Sequence, residues 1–150
     1  MNDLRVYDSI LEVIGNTPLV RLNRISEGWP CSVWAKLEFL NPMGSSKDRI
    51  ARHLIERAEA DGRCKPGDLI LENSSGNTAM GLALVAIQKG YRLKVVVRDR
   101  TSKEKLDQLA ALGVETSEAD PRKAPRRAGQ GLGRTAGYGA AGPVRETRPQ

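Results

Sequence analysis

Histidine occurs once, as His53, and cysteine twice, as Cys31 and Cys64. A single histidine excludes a two-histidine metal site, and no nucleophile elbow supports a Ser/His/Asp triad. Two cysteines cannot build a disulfide scaffold, and their spacing matches no zinc motif. They read as free thiols. Aromatic residues make up only 4% of the 150 residues, so any core must be aliphatic. No apolar run nears the roughly 20 residues of a membrane span. The start, Met1-Asn2-Asp3-Leu4-Arg5, lacks the basic residues and apolar core of a secretory signal. The chain reads as a soluble, cytoplasmic protein of one domain, with no membrane partner.

Positive charge is in excess but unevenly spread. The net charge is +6, from 24 Lys/Arg and 18 Asp/Glu. Residues 1–116 hold 17 basic and 15 acidic residues, a net of +2, which leaves +4 for residues 117–150. Gly, Ala, Arg and Pro supply 22 of those last 34 residues. Leu132 and Val144 are the larger aliphatics there, too few to offset the entropy of ordering the segment. We expect disorder over 117–150, with the boundary near Val114–Ser117. Arg, Gly, Ala and Pro all have GC-rich codons, so the composition fits a GC-rich gene read out of frame. A basic tail can also bind nucleic acid. With one aromatic, Tyr138, and no repeat, it reads more simply as a solvated tail. Gly129-Gln130-Gly131-Leu132-Gly133 follows no strand and is rejected as a nucleotide loop.

The body alternates strand and helix patterns. Ser32–Glu38 alternates in polarity and reads as a strand. Asn41-Pro42-Met43-Gly44 is a turn. Ile50, Ala51, Leu54, Ile55 and Ala58 share one face of a helix from Ser46 to Asp61, ended by Gly62. Leu69–Glu72 is a short strand. A nearly all-apolar helix spans Thr78–Lys89, with Gly90 at its end. Arg92–Val97 is a further strand. Thr101 and Glu104 have capping-box spacing, which opens a helix that ends at Gly113. The order predicts an α/β fold: a three-layer parallel sheet with helices on both faces. Ligands in such sheets bind beyond the carboxyl ends of strands. Two polar loops fall there, Asn41–Lys47 and Asn73–Thr78.

Lys47 stands at a helix start beside Ser45 and Ser46. The positive end of the helix dipole disfavours a second positive charge, and the neutral amine is the form that condenses with a carbonyl. Taken alone, a lysine in a serine-rich helix start is ordinarily a surface residue. The Ser74–Thr78 loop opens the next helix with hydroxyls, a glycine and an asparagine, donors suited to an anion such as a carboxylate. Taken alone, it is an ordinary capping turn. One lysine loop and one anion loop at successive strand ends are informative together.

Four motifs in order add a resemblance. Ile14–Leu22, which includes Gly15-Asn16-Thr17-Pro18, resembles the opening motif of the cysteine synthase and cystathionine β-synthase family. Lys36–Arg49, with Asn41-Pro42-Met43-Gly44-Ser45-Ser46-Lys47, resembles its cofactor-lysine motif. Glu72-Asn73-Ser74-Ser75-Gly76-Asn77-Thr78 resembles its substrate-carboxylate loop. Val95-Val96-Val97, Thr101–Lys105 and Leu112–Glu115 are similar to the strand and helix that follow. The resemblance implies a fold type II enzyme with pyridoxal 5'-phosphate as cofactor. Lys47 would bind that cofactor as a Schiff base and later remove the substrate's α-proton. Asn77 would hydrogen-bond the ring hydroxyl oxygen. Ser74, Ser75, Gly76 and Thr78 would hold the substrate carboxylate. The implied reaction is β-elimination and replacement on serine or O-acetylserine, with a sulfur nucleophile, as in cysteine biosynthesis. Related threonine dehydratase or synthase chemistry is the alternative. Family members are commonly homodimers.

The likeness covers roughly residues 5–116, the early part of the family's catalytic domain. The family's glycine-rich loop for the cofactor phosphate has no match here. Ala79 stands where the family often has glycine, and Arg98 where many members have proline. The expectation is a partial β-replacement domain over 1–116, inactive by itself, followed by the basic tail over 117–150.

Overall fold

The computed structural model describes residues 5–74, 76–97 and 101–118. In chain order these form α1 (Ile10–Val13), β1 (Leu19–Arg21), β2 (Trp34–Lys36), a 3-10 turn (Glu38–Leu40), α2 (Lys47–Ala60), β3 (Leu69–Glu72), α3 (Asn77–Lys89), β4 (Arg92–Val97), α4 (Lys103–Ala111) and β5 (Glu115–Glu118). The α/β class and the parallel sheet stand as expected. β3, β4 and β5 pair in sequence order, all parallel.

The composition of α3 explains its place. Ala79, Gly81, Leu82, Ala83, Val85 and Ala86 are all buried, so the helix is covered nearly all round. It packs against α2 on one side and β4 on another. Small residues permit that double contact. Of the expected α2 stripe, Ala51, Ile55 and Ala58 are each 0% exposed and face this interior and Leu54 is half-buried, but Ile50, at the edge of that face, is 41% exposed. Ile70, Leu93, Val95, Val97 and Leu109 complete an almost purely aliphatic core. Each large aliphatic buried there stabilises the fold by roughly 1.5–3 kcal/mol. Gly90 closes α3 in the left-handed conformation (φ 72), and Tyr91 N–H returns to Ala86 O at 2.9 Å.

The structure departs from the sequence reading in four places. The strand expected over 32–38 is not part of the parallel sheet. It shortens to Trp34–Lys36 and pairs antiparallel with β1 in a separate ribbon. Alternation marks an extended segment but does not choose its partner. The capping box is displaced by one residue. Ser102 is the N-cap of α4, without a side-chain cap bond, and the Thr101 hydroxyl is buried with no partner among the described residues. β5 has no apolar periodicity, because as an outer strand it is held by its backbone ladder to β4 while most of its side chains stay exposed. It runs to Glu118, two residues past the expected boundary at 116. The basic segment from 119 lies outside the described residues.

The fourth difference concerns layers. Both crossovers step the same way across the sheet, so right-handed connections put α3 and α4 on one face. Burial agrees. Ile70, Leu93, Val95 and Val97 point to the covered face, whereas Leu71 on the other is 44% exposed. Among the described residues, the second face of the sheet carries no helix.

Candidate active site

Lys47 is the first residue of α2 and is half-buried. Ser46 before it is already helical (φ −64, ψ −11) and caps nothing with its side chain. The turn is held instead by its neighbours. Lys47 donates its backbone N–H to Ser45 Oγ at 3.2 Å, and Met43 donates its N–H to Asp48 Oδ2 at 2.7 Å. Asp48 is fully buried, and its Oδ1 has no partner among the described residues. Burial pushes its carboxyl above the usual range, against the Met43 hydrogen bond. The Lys47 amine has no hydrogen-bond or ion-pair partner among the described residues.

The second loop follows β3. Ser74 is half-buried and its Oγ accepts the Gly76 N–H at 3.2 Å. Gly76 is the N-cap of α3 in extended conformation (φ −107, ψ −158). Asn77, the first helical residue, is exposed, and Thr78 is half-buried. The earliest amides of a helix have no intrahelical acceptor and suit an anion. Ser75 lies outside the described residues. Glu72, at the end of β3, is half-buried, and burial raises its carboxyl above the usual range.

The structure brings these loops together through one contact. A Cβ built on Gly81 of α3 would lie 3.0 Å from the Lys47 carbonyl oxygen and 3.2 Å from Ala51 Cβ. The first turn of α2 therefore rests on the backbone of α3. Asn77 stands one turn before Gly81 on the same face, about 6 Å along the axis. A cavity of about 220 Å³ lined by Ala83, Tyr91, Arg92 and Val114 opens at the opposite, amino ends of β4 and β5. It is remote from the chemistry-bearing loops.

Residue-type reasoning singled out Lys47 but missed its supports. Arg49 donates Nε to Glu38 Oε2 and Nη2 to Glu38 Oε1, each at 2.9 Å. Asn41, 3% exposed, donates Nδ2 to Glu38 Oε2 at 2.8 Å. Arg49 above all, with Asn41 and Lys36 assisting, holds the Glu38 carboxyl below its ordinary value. Lys36 Nζ also donates to the Thr17 carbonyl. Polar residues flanking a lysine within one motif were the available signal. His53 is exposed on α2, and Cys31 and Cys64 are free thiols. Among the described residues no cluster of His, Cys, Asp or Glu could hold a metal, and no helix is long and apolar enough to cross a membrane.

Fold and site together define a class: a fold type II α/β domain, with a lysine at one helix start and a hydroxyl-rich helix start packed beside it. A family model described as pyridoxal-phosphate dependent enzyme matches residues 10–143. The chain belongs to that family, whose members are enzymes that use pyridoxal phosphate. Cystathionine beta-synthase of Rattus norvegicus is 53% identical over 113 residues, 74% of this chain and 20% of that protein. The Dictyostelium discoideum protein of that name is 49% identical over 110 residues, 73% of this chain and 22% of that protein. The chain thus spans about a fifth of the length of these curated relatives. Among solved structures, O-ureido-L-serine synthase aligns with a TM-score of 0.72 and 40% identity, over 81% of this chain and 38% of that one. A hydrogen sulfide-producing enzyme from Fusobacterium nucleatum aligns with a TM-score of 0.71 and 40% identity, over 78% and 38%.

Proposed function

We propose that this chain carries the lysine and carboxylate loops of a β-replacement enzyme that acts on a serine-type amino acid with a sulfur nucleophile, cysteine synthase-like or cystathionine β-synthase-like. The observation that carries this is the seating of the Lys47 main chain on Gly81, which packs the first turn of α2 against the early turns of α3. The names of the relatives, cystathionine beta-synthase, O-ureido-L-serine synthase and a hydrogen sulfide-producing enzyme, support the substrate class and the sulfur chemistry.

The residues fit pyridoxal phosphate. The amine of the half-buried Lys47, without a partner among the described residues, suits its carbonyl carbon, and Asn77 at the head of α3 suits its ring hydroxyl oxygen. When bound, the cofactor supplies an electron sink conjugated with the amino acid's α-carbon. Lys47 Nζ would hold the cofactor and, as a free amine, would accept the substrate's α-proton. Ser74, Ser75, Gly76 and Thr78 offer hydroxyls and N–H groups to the substrate carboxylate, which orients the α-hydrogen towards Lys47.

The test is the visible spectrum of the purified chain with pyridoxal phosphate, beside Lys47→Ala. A band that requires Lys47 is expected. Adding O-acetylserine or serine with sulfide should perturb that band. Absence of any Lys47-dependent band would overturn the reading for this chain.

A further inference from the structure

The base of the Lys47 loop is cross-linked to the start of the chain. Arg49 Nη2 reaches beyond Glu38 to the Gly15 carbonyl at 2.9 Å and to Thr17 Oγ1 at 3.1 Å. Asn41 takes the other side of the same glycine, its Oδ1 accepting the Gly15 N–H at 2.9 Å. Asn41 Nδ2 also donates to the Glu38 carbonyl at 2.7 Å. Gly15 is therefore gripped at both its N–H and its C=O. Its φ is +90, and a Cβ there would lie 2.7 Å from Arg49 Nη1, so a side chain would displace the guanidinium.

Three segments distant in sequence meet at Glu38: the Gly15–Thr17 turn, the 3-10 turn and the first turn of α2. The loop 42–47 is pinned at one end by Asn41 and at the other by Asp48 and Arg49. Arg49 cannot share a ligand with Lys47, because residues two apart on a helix point to opposite sides. Its part is mechanical. We propose that Arg49, held in the fork of Glu38 and braced by Asn41, is the positioning residue for Lys47. It fixes the rotation and height of the first turn of α2, so that the amine faces the head of α3.

The planar fork matters more than the charge. Lysine at position 49 keeps the charge but cannot span two carboxylate oxygens, a carbonyl and a hydroxyl. The Arg49 and Glu38 side chains are 38% and 30% exposed, and an ion pair in such a setting adds little to global stability. Loss of the fork should therefore loosen the loop and leave the domain folded.

The function of the clamp rests on the reading of Lys47 as the cofactor lysine, and its mechanics do not. The test compares wild type, Arg49→Lys and Glu38→Gln in two measurements. The first is amide hydrogen exchange without cofactor. The amides of Gly15 and residues 43–48 should exchange about tenfold faster in Arg49→Lys, with α3 and β4 unchanged. Unchanged loop amides, or uniform acceleration across the chain, overturn the proposal. The second is treatment with pyridoxal phosphate, borohydride reduction and peptide mass spectrometry. The fraction of label on Lys47, relative to the other lysines, should fall about tenfold in Arg49→Lys. Equal labelling of Lys47 in both proteins overturns the positioning role. If wild type takes no label at Lys47, the cofactor reading fails and the exchange result alone decides the clamp. Should Arg49→Lys fail to fold by circular dichroism, Glu38→Gln carries both measurements, with the same outcomes.

Discussion

Gly81 and Lys47 are in backbone contact. No side chain fits between them, since even a methyl group on Gly81 would approach the Lys47 carbonyl oxygen to 3.0 Å and its carbonyl carbon to 3.1 Å. The obstruction is main chain, which cannot swing aside as a flexible side chain can. Gly81→Ala should therefore lower stability. Overpacking costs about 1–3 kcal/mol, against about 1 kcal/mol gained in helix propensity. Urea unfolding should show a lower midpoint, and an unchanged or higher midpoint would contradict the contact.

Asp48→Asn should have a pH-dependent effect. Burial raises the folded-state value of Asp48 above its ordinary one, so ionisation is harder in the folded chain. The wild type is thus penalised at pH above the raised value and relieved as pH falls through it. The stability of Asp48→Asn relative to wild type should increase from pH 4 to pH 7, by at most about 1.4 kcal/mol per pH unit. Glu38, Glu72 and Glu115 are common to both proteins, so the difference isolates position 48. Urea midpoints of the pair at both pH values decide it, and a difference that stays flat counts against the buried carboxyl.

Tyr91 ties the end of α2 to the start of β4. Its hydroxyl donates to Glu59 Oε1 at 2.9 Å, and Glu59 Oε2 also receives Lys89 Nζ at 2.7 Å. Burial first, then Cys64 and Glu59, push the phenol far above its ordinary value. The folded state therefore keeps Tyr91 neutral where the unfolded chain would ionise it, and stability should fall as pH rises above about 10. The ultraviolet titration of wild type minus Tyr91→Phe should show no phenolate from Tyr91 until unfolding. At neutral pH that variant should lose about 1 kcal/mol, the worth of one hydrogen bond.

Asn77→Ala bears on the proposed cofactor site. Asn77 is exposed at the head of α3, so its removal should not disturb the core. Loss of one hydrogen bond to the ring hydroxyl oxygen should weaken binding of pyridoxal phosphate about tenfold. The Lys47-dependent band should survive at higher cofactor concentration. Equal affinity in the two proteins would remove Asn77 from the site.

The sequence alone determined much of this protein. The limits of α2 and α3, and the strands β3 and β4, follow from apolar spacing and from Gly62 and Gly90, because those signals are local. The positions of Lys47 and of the Ser74–Thr78 loop at helix starts were legible, because helix-start signals lie in consecutive residues. Only the tertiary structure decided that β2 pairs with β1 and not with the parallel sheet, since an extended segment does not name its partner. β5 was hidden because most of its side chains are exposed and its backbone ladder carries it. The supports of Lys47 were hidden for a related reason. Gly15, Glu38, Asn41, Arg49 and Gly81 span 67 positions of sequence, and hydrogen-bond geometry and close backbone approach arise only when folding brings them together.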